Sequence, residues 1–187
     1  MDILTAFGLS ASAGLNAYIP LLVVALIARF TNLYQLTEPW NALESWWTIG
    51  ILAVLALVEF FADKIPAVNH INDIIQTLVR PTAGAILFAA STSVVSDLQP
   101  VLGLILGLFV AGSVHAVKTV AVRPAVTATT GGAGNVPVSV AEDIISTVLS
   151  VIAAVMPVII ATIMVLVTAL IVWWIWRRIN AGRIRKT

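Results

Sequence analysis

The segment EFFADKIPAVNHINDIIQTLVRP, Glu59 to Pro81, gathers three carboxylates, two cations, a histidine and two asparagines inside an otherwise apolar chain. Glu59 and Asp63 are four residues apart and share one helix face, while Asp73, Thr77 and Arg80 stand at i, i+4 and i+7 and share another. A second group follows in VHAVKTVAVRP, where His115 and Lys118 fall on one face and Arg123 precedes Pro124. A third ends the stretch SVAED with Glu142 and Asp143. An unpaired charge at membrane depth costs several kcal/mol, so such groups are paired, and by default they mark a solute, ion or proton pathway. Glu59, Asp63, Asp73, Glu142 and Asp143 are therefore candidate protonatable or cation-coordinating groups. Lys64, Arg80, Lys118 and Arg123 are their counter-charges, with His115 beside them, and the carboxylates are expected to pair with Arg80 and Lys64 inside a helix bundle. Asn16, near the middle of the first apolar segment on a face with Gly8 and Ser12, reads as a helix-packing amide or a ligand contact.

Enzymatic chemistry finds little support in the same residues. His70 and His115 lie on different segments, and neither an HExxH pattern nor a nucleophile elbow occurs. The chain has no cysteine, so disulfides, thiolate metal sites and cysteine nucleophiles are excluded. The expectation is a protein that is not an enzyme and has no metal or cofactor.

The elements that must position these groups are membrane helices. Hydrophobic residues make up 60% of the 187 and charged residues only 10%, with a mean hydropathy of +1.04. A soluble domain carries about a quarter charged residues. An all-α, polytopic membrane bundle forming a single domain is predicted, with spans at roughly 4–29, 48–65, 71–95, 100–122, 139–156 and 157–177. The last two are contiguous; one helix over 139–177 would be roughly 58 Å long at 1.5 Å per residue, about twice the hydrocarbon thickness. A break at Pro157 is expected, giving a hairpin, or else a short buried half-helix before one full span.

Six spans put both termini on one side. With the termini cytoplasmic, nine of the ten cations lie inside and only Arg29 outside, as the positive-inside rule asks. Trp40, Trp46 and Trp47 then mark the outer interface and Trp173, Trp174 and Trp176 the inner one. The basic tail 178–187 reads as a topology anchor that meets lipid rather than nucleic acid. Met1-Asp2 offers no basic n-region, so no cleaved signal peptide is expected.

Several local features qualify this plan. Pro81 and Pro124 each follow an arginine and are expected to disturb the helix there. Gly131, Gly132, Gly134, Asn135 and Pro137 form a turn, and Ser139 stands three residues before Glu142 as a capping box for the fifth helix. That turn lacks the lysine and spacing of a P-loop, and Glu142 and Asp143 suit a cation better than an anion. Residues 67–78 and 137–148 match at Val, Asp, Ile, Ile and Thr, aligning Asp73 with Asp143, which suggests an uneven internal repeat of the kind transporters use. Gly103 and Gly107 have GxxxG spacing, suited to close helix contact inside the bundle or between protomers of a homo-oligomer.

The segments SAGLNAYIPLL, VEFFADKIPAVNHINDIIQTLVRPTAGAIL, TGGAGN, SVAEDIISTVLSVIAAVMP and WWIWRRI occur in one order along nearly the whole chain. Together they resemble the bacterial membrane family catalogued as domain of unknown function 4126. The resemblance implies a multi-helix inner-membrane protein and supplies no activity or site residue. The residues themselves point to a small-solute or ion transporter or channel in the inner membrane. The alternative is a structural or accessory membrane protein whose ion pairs only lock helix packing.

Overall fold

The computed structural model describes residues 3–92 and 99–184; of residues 66–70, 73, 160–161, 164, 171, 175 and 178–184 it describes the backbone alone. The order is α1 (Ile3–Leu15), α2 (Tyr18–Phe30), a 3-10 turn at Trp40–Glu44, α3 (Trp46–Ala62), α4 (Pro66–Thr92) and α5 (Pro100–Val117). A π-helical turn at Lys118–Val122 leads to α6 (Arg123–Thr130), followed by α7 (Asn135–Val155) and α8 (Pro157–Ile184). The described residues contain no strand. Gly131, at φ 63°, closes α6 in the left-handed conformation that glycine adopts without strain.

Helix α1 is the hub, packed against α4, α5 and α7. Its sequence, ILTAFGLSASAGL, explains why: small side chains let three neighbours approach at once. A Cβ on Gly14 would lie 2.6 Å from the Ala111 carbonyl oxygen and from Val114 Cβ on α5. Hydroxyls supply the polar contacts of this small-residue core. Ser10 Oγ donates to Gly84 O at 2.8 Å, and Ser12 Oγ lies 2.9 Å from Ser146 Oγ and 2.7 Å from Ser150 Oγ on α7. The GxxxG pair is used inside the bundle: Gly103 and Gly107 both face α4, where a Cβ on Gly107 would collide with the Gly84 carbonyl and the Phe88 side chain.

The bundle is inside-out relative to a water-soluble one. Leu78 is 76% exposed while Arg80, two residues on, is 0% exposed; Val120 is 78% exposed while Lys118 is 2%. Water would reward the opposite arrangement, so the surroundings of these faces are apolar. Three stretches, Ile74–Thr92, Pro100–Thr130 and Asn135–Val155, are long and apolar enough to cross a membrane by length and composition. This is a membrane protein. Shorter apolar helices occupy Ile3–Leu15, Tyr18–Phe30 and Trp46–Ala62, so the six-span count is not reached by this measure.

Four expectations are corrected. The segment 4–29 is not one helix, because α1 ends at Leu15 and α2 starts at Tyr18. Pro20 has no N–H for the Asn16 carbonyl and its ring crowds that turn, so the chain breaks there, and Asn16 lies at the break rather than mid-helix. Helix α4 runs through Arg80 and Pro81 without ending. The chain likewise does not stop at 122 or at Arg123: Pro124 cannot donate to the Val120 carbonyl, and the ladder widens so that Arg123 N–H bonds Lys118 O five residues back. Finally, α7 starts at Asn135, so Ser139 lies inside the helix and caps nothing. The expected break before Pro157 is present, at Met156.

Candidate functional site

Several of the charged groups sit where a helix ends or changes pitch, while Arg80, Glu142 and Asp143 stand inside helices. Glu59 is in the last turn of α3, Asp63 is the residue after it, and Lys64 follows. Arg80 comes from the middle of α4, His115 from the last turn of α5, and Lys118 and Arg123 from either end of the π-helical turn. Glu142 and Asp143 stand on the third turn of α7, and Asn16 between α1 and α2.

Arg80 organises the first half. It is fully buried, and its Nη2 and Nε donate to Glu59 Oε1 at 2.8 and 3.3 Å. Its Nη1 lies 3.3 Å from His115 Nδ1. Because guanidinium only donates, Nδ1 must accept, which puts the imidazole proton on Nε2, 3.3 Å from Thr77 Oγ1. Asp63 is the bridge: it accepts from Asn72 Nδ2 at 2.7 Å and Ser139 Oγ at 3.2 Å. Its Oδ2 is 3.7 Å from Arg80 Nη2 and 3.6 Å from Arg123 Nη2.

The second half centres on Glu142, whose Oε2 takes Lys118 Nζ at 2.8 Å and Arg123 Nη2 at 3.2 Å. The π-helical turn makes this convergence possible. Residues five apart on an α-helix are about 140° apart around the axis, but an i to i+5 turn brings them much closer to one face, so Lys118 and Arg123 reach one carboxylate oxygen. Lys118 Nζ also donates to Leu15 O, 3.3 Å away at the C-terminal end of α1, where a cation complements the helix dipole.

The Arg123–Asp63 contact joins these halves, and Asn16 belongs to a smaller group next to them in the chain. Asn16 Oδ1 accepts the N–H groups of Tyr18 and Ile19 at 3.1 and 3.0 Å, capping α2, while its Nδ2 donates to Asp143 Oδ1 at 3.0 Å. Asp143 Oδ2 lies 3.4 Å from Lys64 Nζ, which also donates to Phe60 O at 2.8 Å. The described cluster thus holds four carboxylates and four cations, each cation ion-paired.

Of the predicted site residues, Glu59, Asp63, Arg80, His115, Lys118, Arg123 and Glu142 meet in one network and Lys64, Asp143 and Asn16 in a second group adjacent to it in the chain; Asp73 lies on α4, and its side chain is outside the described residues. The sequence reading missed Gln76, Asn72 and the role of Ser139. Gln76 stands four residues before Arg80 and Asn72 four before that, a helix-face signal that was present. Ser139, Asp143, Ser146 and Ser150 likewise form a polar stripe along an apolar helix.

Among the described residues, no three His, Asp or Glu side chains are grouped to hold a metal. Among the described residues, five buried side-chain atoms have no hydrogen-bond partner, and four belong to this region: Glu59 Oε2, Gln76 Oε1, and Arg123 Nε and Nη1. Beside the Lys118–Glu142 pair lies an open cleft of about 510 Å³ with walls that include Leu15, Val114, Val117 and Ile145.

A family model described as Domain of unknown function (DUF4126) matches residues 3–177. No curated protein and no solved structure matches the chain.

Proposed function

The chain belongs to the family of domain of unknown function 4126, and since that description names no activity, we propose one from its own residues: transport of a small solute or ion across the inner membrane. On this reading α1 and α2 make one interrupted crossing and α3, α4, α5, α7 and α8 make five more, with both termini cytoplasmic by the positive-inside rule. The observation that carries it is the balanced charge network at the α1/α2 break, buried yet holding unpartnered acceptors and donors. Interrupted helices whose ends face ionisable groups are how transporters build a site at membrane depth, and unpartnered buried polar atoms are costly unless something uses them. No catalytic step is assigned to any residue.

The test is flux in proteoliposomes loaded with a pH-sensitive dye and given gradients of monovalent ions and small carboxylates over a pH series. Wild type is expected to exceed empty liposomes, and Arg80→Ala and Glu142→Gln to fall to the empty level. Equal flux in wild type and both variants would sink the role given to the network.

A second reading has an observation of its own. Arg80, Glu59 and Ser139 are at most 1% exposed, and a network so enclosed could serve to fix helix packing alone. That clasp predicts no flux in any protein, wild type included.

A further inference from the structure

We infer that Glu59 reversibly binds a proton, which its Oε2 shares with the Gln76 side chain, and that Tyr18 completes the site. Two acceptors carry the case: among the described residues, Glu59 Oε2 and Gln76 Oε1 have no hydrogen-bond partner, although their residues are only 1% and 2% exposed. Three observations bring these side chains together. Gln76 stands one turn before Arg80 on the same face of α4, and Arg80 holds Glu59 through Oε1, which leaves Oε2 free. The Gln76 side chain hydrogen-bonds the Tyr18 hydroxyl, and Tyr18 is also within electrostatic reach of Glu59. Tyr18 is partly exposed, so it links the enclosed pair to the surface.

The chemistry of the ligand follows from what both atoms lack. Each is an acceptor without a donor, and one hydrogen can serve two acceptors. A proton on Glu59 Oε2 that donates to Gln76 Oε1 satisfies both at once, while Gln76 Nε2 donates to the Tyr18 oxygen. The amide serves the ionised state equally well: turned over, its Nε2 donates to the Glu59 carboxylate and its Oε1 accepts from the Tyr18 hydroxyl. Neither state leaves these buried atoms unmet, so the proton comes and goes without the cost of an orphaned group. The charged groups around Glu59 are Arg80, Asp63 and Lys118, with His115 beyond Arg80; on protonation Arg80 keeps Asp63 as its carboxylate. Glu59, Asp63 and Glu142 balance Arg80, Lys118 and Arg123, so any bound cation adds one positive charge. A metal cation asks in addition for a shell of about six oxygens, which two orphaned oxygens and a hydroxyl do not supply; a proton asks for none. The proton thereby becomes the ion of the transport reading, on which its use as a transported or coupling ion rests. Its binding does not rest there, so titration of Glu59 without flux would count against transport alone.

The test is infrared difference spectroscopy of the full chain in zwitterionic-lipid nanodiscs over a pH series, in water and deuterium oxide, with and without isotope-labelled glutamate. Among the protonated-carboxyl bands that grow as the pH falls, one is expected to shift in deuterium oxide and on glutamate labelling and to be lost in Glu59→Gln. Gln76→Leu should move that band to higher frequency, because the carboxyl O–H has lost its acceptor. Replacing choline with sodium at each pH should leave the band's midpoint unchanged. Superimposable spectra of wild type and folded Glu59→Gln would overturn the inference, as would a band that Gln76→Leu does not move. A sodium-dependent midpoint would also overturn it, by making a metal cation the ligand. If Glu59→Gln does not fold, glutamate labelling and Gln76→Leu decide the matter.

Discussion

Replacing Arg80 with methionine should be among the most damaging single substitutions in the chain, and the reason lies in what it leaves behind. Glu59 is 1% exposed and, among the described residues, receives hydrogen bonds from Arg80 alone and has an Oε2 with no partner. Without the guanidinium it is a buried carboxylate bonded to nothing, whereas Asp63 keeps Asn72, Ser139 and Arg123. Stranding one member of a buried pair costs about 3–5 kcal/mol. At about 2–4 °C per kcal/mol for a chain of this length, Arg80→Met should lower the melting temperature by roughly 6–20 °C. Glu59→Gln should cost less, because Arg80 retains Asp63 at 3.7 Å and His115 at 3.3 Å. The double variant Glu59→Leu/Arg80→Met removes both charges and should recover about 2 kcal/mol or more relative to the sum of its two singles. Thermal unfolding of the purified protein in detergent, run as a double-mutant cycle, reads this directly. Additivity within about 0.5 kcal/mol would refute the pairing on which the whole network is built.

Two further substitutions probe the framework around the site. Asn16→Ala removes the cap of α2 and a partner of Asp143 together and should cost about 1–3 kcal/mol in the same melts. Asn16→Asp keeps an acceptor for both N–H groups but sets a carboxylate against Asp143, so it should be no better than alanine; full rescue by aspartate would mean that capping is the whole role. Gly107→Ala places a methyl against the Gly84 carbonyl and Phe88, and should cost about 1–3 kcal/mol by forcing α4 and α5 apart. A neutral result would place the GxxxG pair outside the α4–α5 contact.

The groups that meet were legible where ordinary helix periodicity applies. The i, i+4 spacing puts Glu59 and Asp63 at one end of α3, and the expected partners Arg80 and Lys64 stand opposite carboxylates. Periodicity fails where the helix is not ideal. Lys118 and Arg123 would diverge on an α-helix and converge only because Pro124 forces a wider turn, and nothing in a 3.6-residue pattern carries that. Ser139 resembled a cap because serine three residues before glutamate is the usual signature, but α7 begins four residues earlier at Asn135, which turns the hydroxyl inward to Asp63. In the first segment, that the break falls at Asn16 follows from the carbonyl four residues before Pro20 losing its donor. The surroundings of Glu142 and Asp143 were hidden for a different reason. Local sequence shows the two carboxylates but not the cations and amide that three other segments bring to them.

The central claim, that this network is a working site rather than a clasp, turns on whether water reaches it. The chain has no cysteine, so Ser139→Cys introduces the only thiol, at a position 0% exposed and hydrogen-bonded to Asp63. In reconstituted vesicles, its reaction with a membrane-impermeant methanethiosulfonate reagent is compared with that of Thr129→Cys, an exposed control on α6. A transport site must open, so Ser139→Cys is predicted to label over minutes and to be slowed by addition of a transported solute. Complete protection of Ser139→Cys beside full labelling of Thr129→Cys would contradict the account and leave the clasp.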